Sequence, residues 1–121
     1  RSGSNLVFWL IMANQYKRFI STLTNGASTT VMTVPAATTA IVKSVIITNN
    51  NGTASTIILN VSPGGSGTST IVPAKSITAN DYEDLLTNKG PVVLEAADEL
   101  KLQPNASNLI ALVSALLVDR N

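Results

Sequence analysis

Hydrophobic and polar positions alternate along most of this chain in short runs closed by turn residues, which is the pattern of strands rather than helices. Residues 29–34 (Thr-Thr-Val-Met-Thr-Val) are rich in β-branched side chains and stop at Pro35, which cannot donate to a ladder. Residues 39–48 form the longest candidate strand. Period-two counting puts Ile41, Val45 and Ile47 on one face, interrupted by Lys43, and Val42 and Ile46 on the other. Asn49-Asn50-Asn51-Gly52 then predicts a tight hairpin, because Asn-Gly takes positive φ readily. Its return strand is 55–62, with Ile57, Leu59 and Val61 inward and Thr56, Ile58 and Asn60 outward. Pro63, Gly64, Gly65, Ser66 and Gly67 read as a flexible, exposed loop tip, followed by a strand over 68–72 that Pro73 ends.

Residues 80–87 admit two readings. Asn80 could cap a helical turn with acids in its first turn, or residues 82–87 could form a strand; the surroundings favour the strand. Asn88-Lys89-Gly90-Pro91 is a turn, and short strands at 92–94 and 100–102 flank an acidic connection. In residues 109–118, Ala111, Val113, Ala115 and Leu117 alternate with Ile110, Leu112, Leu116 and Val118. Ala and Leu also suit a buried helix, but the strand signals before this run favour β. Strands spaced about 8–12 residues apart predict an all-β fold. The expected architecture is a single antiparallel β-sandwich, jelly-roll or immunoglobulin-like, over residues 25–121, preceded by an N-terminal extended arm over 1–24.

The arm holds the most hydrophobic run, residues 6–12, and the only Trp. It is too short to span a bilayer, which takes about 20 apolar residues. Arg1 and Ala13 imitate a signal peptide only weakly. Met12-Ala13-Asn14-Gln15 reads as an ordinary start of translation, which would make 1–11 an upstream extension. Alternatively Leu6, Val7, Phe8, Trp9, Leu10 and Ile11 contact a neighbouring subunit, adding a strand to its sheet edge. A run this apolar has to be covered by protein.

Composition narrows the chemistry. The chain has no His and no Cys, the residues that carry most neutral-pH acid–base, nucleophilic and metal chemistry. Ser44 beside Lys43 and Ser76 beside Lys75 point to opposite faces of their strands, so neither makes a Ser-Lys pair. Asp81, Glu83 and Asp84 lack the Gly and terminal Glu of a calcium loop. Gly64-Gly65-Ser66-Gly67 has no following Lys-Ser/Thr to cradle a phosphate. The reading is therefore a non-enzyme with no catalytic residues, metal or cofactor. A net charge of +1 argues against nucleic acid. Only 12% of residues are charged, against about 25% in ordinary soluble domains. Ser, Thr and Asn fill the polar positions instead, and they are cheaper than ions to cover with another protein.

Residues 29–49 (Thr29-Thr30-Val31-Met32-Thr33-Val34-Pro35 through Ser44-Val45-Ile46-Ile47-Thr48-Asn49) and 93–102 (Val93-Leu94-Glu95-Ala96-Ala97-Asp98-Glu99-Leu100-Lys101-Leu102) resemble small structural proteins of tailed bacteriophages. Ala97 stands where those chains usually carry Gly. The resemblance implies a β-sandwich virion component assembled in the host cytoplasm. The leading expectation is a capsid decoration or cement protein, homo-oligomeric and bound to the major capsid protein or other virion proteins, without nucleic-acid or membrane contacts. A tail or fibre-associated component and a carbohydrate-binding or adhesin module are the alternatives.

Overall fold

The computed structural model describes residues 14–87 and 90–119. The expected contact residues Leu6 to Ile11 lie outside the described residues, as do Asn88 and Lys89 of the expected turn. The strands are β1 (Asn14–Leu23), β2 (Thr29–Thr33), β3 (Thr38–Asn49), β4 (Ser55–Ser62), β5 (Ser69–Ile77), β6 (Asp81–Asp84), β7 (Val92–Leu94), β8 (Glu99–Pro104) and β9 (Leu109–Asp119).

The chain forms an antiparallel sandwich of two sheets. One runs β1-β9-β3-β6, with β7 also on β3, and the other runs β2-β8-β4-β5. Residues 46–49 of β3 pair with β6 and residues 40–42 with β7, so β6 and β7 act as one interrupted strand. Each sheet thus has four strand positions, and most connections cross from one sheet to the other. This is the jelly-roll arrangement of two interleaved Greek keys, which decides between the two expected sandwiches.

The core lies between the sheets, built from Val42, Val45 and Ile47 of β3, Ile57 and Leu59 of β4, Leu100 and Leu102 of β8, and Leu109 and Val113 of β9. Fully burying each of these contributes about 1.5–3 kcal/mol. The run over 109–118 is strand and not helix, because it occupies a central position paired on both sides, with β1 and β3.

Several local readings need correction. The Asn49–Gly52 segment makes no hairpin: β3 and β4 belong to different sheets, and residues 50–54 arch between them. Asn49 is wholly buried and drives this arch, donating its side-chain amide to the carbonyls of Thr53 (3.0 Å) and Ile77 (3.1 Å) while its Oδ1 accepts from the Asn51 N–H (2.9 Å). A local side-chain turn has replaced the backbone turn. Second, the pairing of β3 with β9 shifts between Val42 and Ser44, leaving Lys43 as an exposed bulge residue. The bulge reverses the alternation across Lys43, so Val42 is buried with Val45 and Ile47, and Ile41 joins Ile46 on the outer face.

Third, Pro73 does not end its strand. β5 is an edge strand, and its register against β4 is irregular between Val72 and Lys75, where a residue without an N–H is tolerated. Fourth, the strand expected over 82–87 is Asp81–Asp84, followed by a turn over 85–87. Asp84 Oδ1 holds that turn by accepting from the N–H groups of Leu86 (3.0 Å) and Val45 (3.2 Å). No helix is capped at Asn80, which takes a positive φ of 55°. Residues 14–23, assigned to the arm on sequence, form the edge strand β1.

Candidate assembly surface

The two outer faces of the sandwich differ in chemistry. The β2-β8-β4-β5 sheet turns mostly polar residues outward: Thr30 stands opposite Lys101, half-buried Ile58 opposite Gln103, and Glu99 pairs with Lys101 at 3.5 Å, while Asn60, expected outward from the sequence, is buried. The β1-β9-β3-β6 sheet turns apolar residues outward in register. Ile20, Leu112 and Ile46 stand side by side on β1, β9 and β3. Tyr16, Leu116, Ile41 and Val93 form a second row, reaching β7. A third holds Thr22, Ile110, Thr48 and Tyr82. Between the first two rows lie Arg18, Ser114 and Ser44.

The margins of this face are open, with Tyr16 79%, Tyr82 66%, Ile20 57% and Val93 56% exposed. Leu112, Leu116, Ile41 and Ile46 are half-buried by their strand neighbours. Four strand positions about 4.8 Å apart, and about nine residues at 3.4 Å each, outline a patch of roughly 19 by 30 Å. That is at the upper end of what a monomer usually leaves open, about 300–600 Å². Sequence reasoning did not single out Tyr16 or Ile20. Their alternation with Phe19, Ser21 and Leu23 was the available signal, but assigning 1–24 to an arm hid it.

A groove of about 700 Å³ lies along the side of the sandwich opposite β1, between β5 and the turn joining β6 to β7. Buried Leu85 and Leu86 belong to its lining, with Ile71, Pro73, Pro91 and Val92. Both strand edges facing it are unpaired on that side, since β5 pairs only β4, and β6 and β7 pair only β3.

The Pro63–Gly65 turn and its neighbours Ser66 and Gly67 are exposed. The loop is tied at its base, where the Gly64 N–H donates to Asp98 Oδ1 at 2.9 Å. Gly65 takes φ +78°, a backbone conformation that favours glycine, beside the Glu99 carboxylate.

The carboxylates are engaged in local structure. Asp98 Oδ2 accepts from the Glu95 N–H (2.9 Å), Asp81 accepts from the Tyr82 N–H (2.8 Å), and Asp84 holds the turn after β6. Among the described residues no group of three or more acidic side chains is placed to hold a metal ion. Among those same residues, no helix is long and apolar enough to cross a membrane. Tyr16 and Tyr82 occupy opposite corners of the apolar face, three strand spacings and about six residues apart, hence about 25 Å. They cannot stack on one sugar unit together.

No family model and no curated protein matches this chain. Solved structures do. A Bacillus endospore appendage protein, from a family of disulfide-linked pili, superposes with a TM-score of 0.55 at 8% identity, covering 89% of this chain and 88% of its own. A protein of the T13 particle of infectious bursal disease virus superposes at 0.54 and 9% identity over 88% of this chain, which spans 31% of the viral protein. At these identities the likeness is one of fold.

Proposed function

We propose that this chain is a non-enzymatic bacteriophage virion protein, a capsid decoration or cement protein that assembles as a homo-oligomer through the outer face of its β1-β9-β3-β6 sheet. The observation that carries the reading is that face: two in-register apolar rows on one side of a sandwich whose other side is mostly polar. With side-chain relief added to its outline, the patch is of the order of the ~800 Å² per partner in a standard interface.

Charge favours a second copy as the occupant. Arg18 stands on the β1 edge, and Asp84, in register with outward Ile46, stands on β6, the opposite edge. A two-fold axis running along β9 and β3 lays each β1 edge over the partner's β6 edge, so opposite charges meet around an apolar centre. Sheets packed this way interdigitate about 10 Å apart.

The two superposing proteins, a pilus subunit and a virus-particle protein, are both components of assemblies. A chain without Cys cannot use the disulfide links of that pilus family. Leu6 to Ile11 are proposed to supply further inter-subunit contact, and the Pro63–Gly67 loop to form an exposed tip. An electron-microscopy map of whole particles tests the virion reading. Density for this chain at repeated positions on the capsid exterior supports decoration, density confined to the tail supports a tail or fibre-associated role, and absence from the particle overturns both.

A further inference from the structure

The groove between β5 and the β6–β7 edge has no use in a contact made by the flat sheet face, and its shape asks for a particular ligand. It is walled on one side by the unpaired edge of β5 and on the other by the turn between β6 and β7 with the adjoining ends of those strands. Leu85 and Leu86, both nearly buried, join its lining to the core. An extended peptide laid there finds backbone partners on a strand edge and apolar surface on two sides.

We propose that this groove receives the apolar run of residues 6–12 of a neighbouring copy as an added strand. The inference rests on the assembly reading above and names a second contact, which extends the pairs made by the sheet face.

The first support is the pattern of the run. In an extended chain Leu6, Phe8, Leu10 and Met12 point one way and Val7, Trp9 and Ile11 the other, so both faces are apolar. Such strands are buried on both sides. A strand laid on the open sheet face, or beside β1, would leave one apolar side in water. The groove, set between the edges of two sheets, covers both.

The second support is reach. Met12 is two residues from Asn14, where β1 begins, so its Cα lies within about 7 Å of that point. β1 is three strand positions from β6, about 14 Å across the sheet. A chain therefore cannot seat the whole run in its own groove, whereas a neighbour's groove has no such limit. Donor strand end and acceptor groove lie on opposite edges of the sandwich, which makes the contact head-to-tail. Contacts of that kind close into rings or propagate into filaments.

The absence of Cys makes a clean cross-linking test possible in the full-length chain. Chains carrying Leu10→Cys are mixed with chains carrying Ile71→Cys, a half-exposed groove residue, and oxidised. The expected result is a two-chain band on a non-reducing gel from the mixture, and a ladder of higher species from the double variant. A mixture yielding no more product than a control with Thr30→Cys on the polar sheet face overturns the inference, as does a double variant that closes only within one chain. Trp9 is the only Trp, so its emission reports the arm directly. The emission is expected to shift to the blue as protein concentration rises, and Ile71→Glu to move the midpoint roughly tenfold higher; an unmoved midpoint counts against the groove. If these tests fail while Leu112→Lys with Leu116→Lys still halves the particle mass, the arm contact falls and the face contact stands. The opposite pattern removes the face contact and keeps the arm.

Discussion

The side-chain amide of Asn49 donates to the main-chain carbonyl of Ile77 at 3.1 Å and so joins the end of β3 to the end of β5, in the opposite sheet. The same amide reaches Thr53, and the Asn51 N–H returns a bond to its Oδ1. Around this residue the loops at one end of the sandwich are stitched together by asparagines: Asn51 Nδ2 donates to Ser107 O (2.7 Å), the Asn80 N–H to Asn51 O (3.1 Å), and Asn105 exchanges bonds with Thr56. Asn49→Asp keeps the acceptor but turns an oxygen onto two carbonyls. It is expected to cost about 3 kcal/mol, more than Asn49→Ser, and the deficit should shrink at acidic pH as the carboxyl gains a proton. Denaturant titration at two pH values reads this out.

Ala97 takes φ 72° in the turn between β7 and β8, where its N–H donates to Val34 O (2.9 Å). An L-residue held there pays roughly 1–2 kcal/mol, part of which glycine would return as unfolded-chain entropy. Ala97 is exposed, so no packing is lost on truncation. Ala97→Gly should therefore raise the melting temperature by about 2–4 °C, and Ala97→Val should lower it. Differential scanning calorimetry separates the two signs.

The Lys43 bulge decides which hydrophobic residues of β3 face the core. Lys43→Ala, at an exposed position, should change stability by less than about 0.5 kcal/mol. Deleting Lys43 removes the extra residue and leaves Val42 two positions from Val45, so a regular strand still turns Val42 inward and Ile41 outward, and the cost should stay well below the roughly 3 kcal/mol of a lost core side chain. A loss above about 3 kcal/mol on deletion, read by denaturant titration, would show that the core face of β3 is not kept when the bulge is removed.

Much of the fold was legible because strand patterning is local. Residues 109–115 alternate without interruption and bury the face that a period of two predicts, whereas in 55–62 Ile57, Leu59 and Val61 are inward as expected but Asn60, expected outward, is buried as well. What misled were residues whose conformation depends on distant partners. Asn49-Asn50-Asn51-Gly52 has hairpin chemistry, but the buried Asn49 amide finds Ile77, 28 residues away, and the chain crosses to the other sheet. Pro73 normally marks a strand end, yet an unpaired edge and a bulge accommodate it. The assembly face was half legible. Ile110, Leu112, Leu116 and Val118 were recognised as a second apolar side of their strand, but their alignment with Ile20, Ile46 and Tyr16 is set by cross-strand register, which one strand's sequence does not carry.

Pairing of copies through the outer face of the β1-β9-β3-β6 sheet is tested most directly by the molar mass of the full-length chain in light scattering. The comparison is with a variant carrying Leu112→Lys and Leu116→Lys, side chains on that face and outside the core. The unaltered protein is expected at a multiple of 12.6 kDa and the variant at half that mass, with circular dichroism and melting temperature close to the parent. A single-chain mass for the unaltered protein, or the same mass for both proteins, would contradict the account.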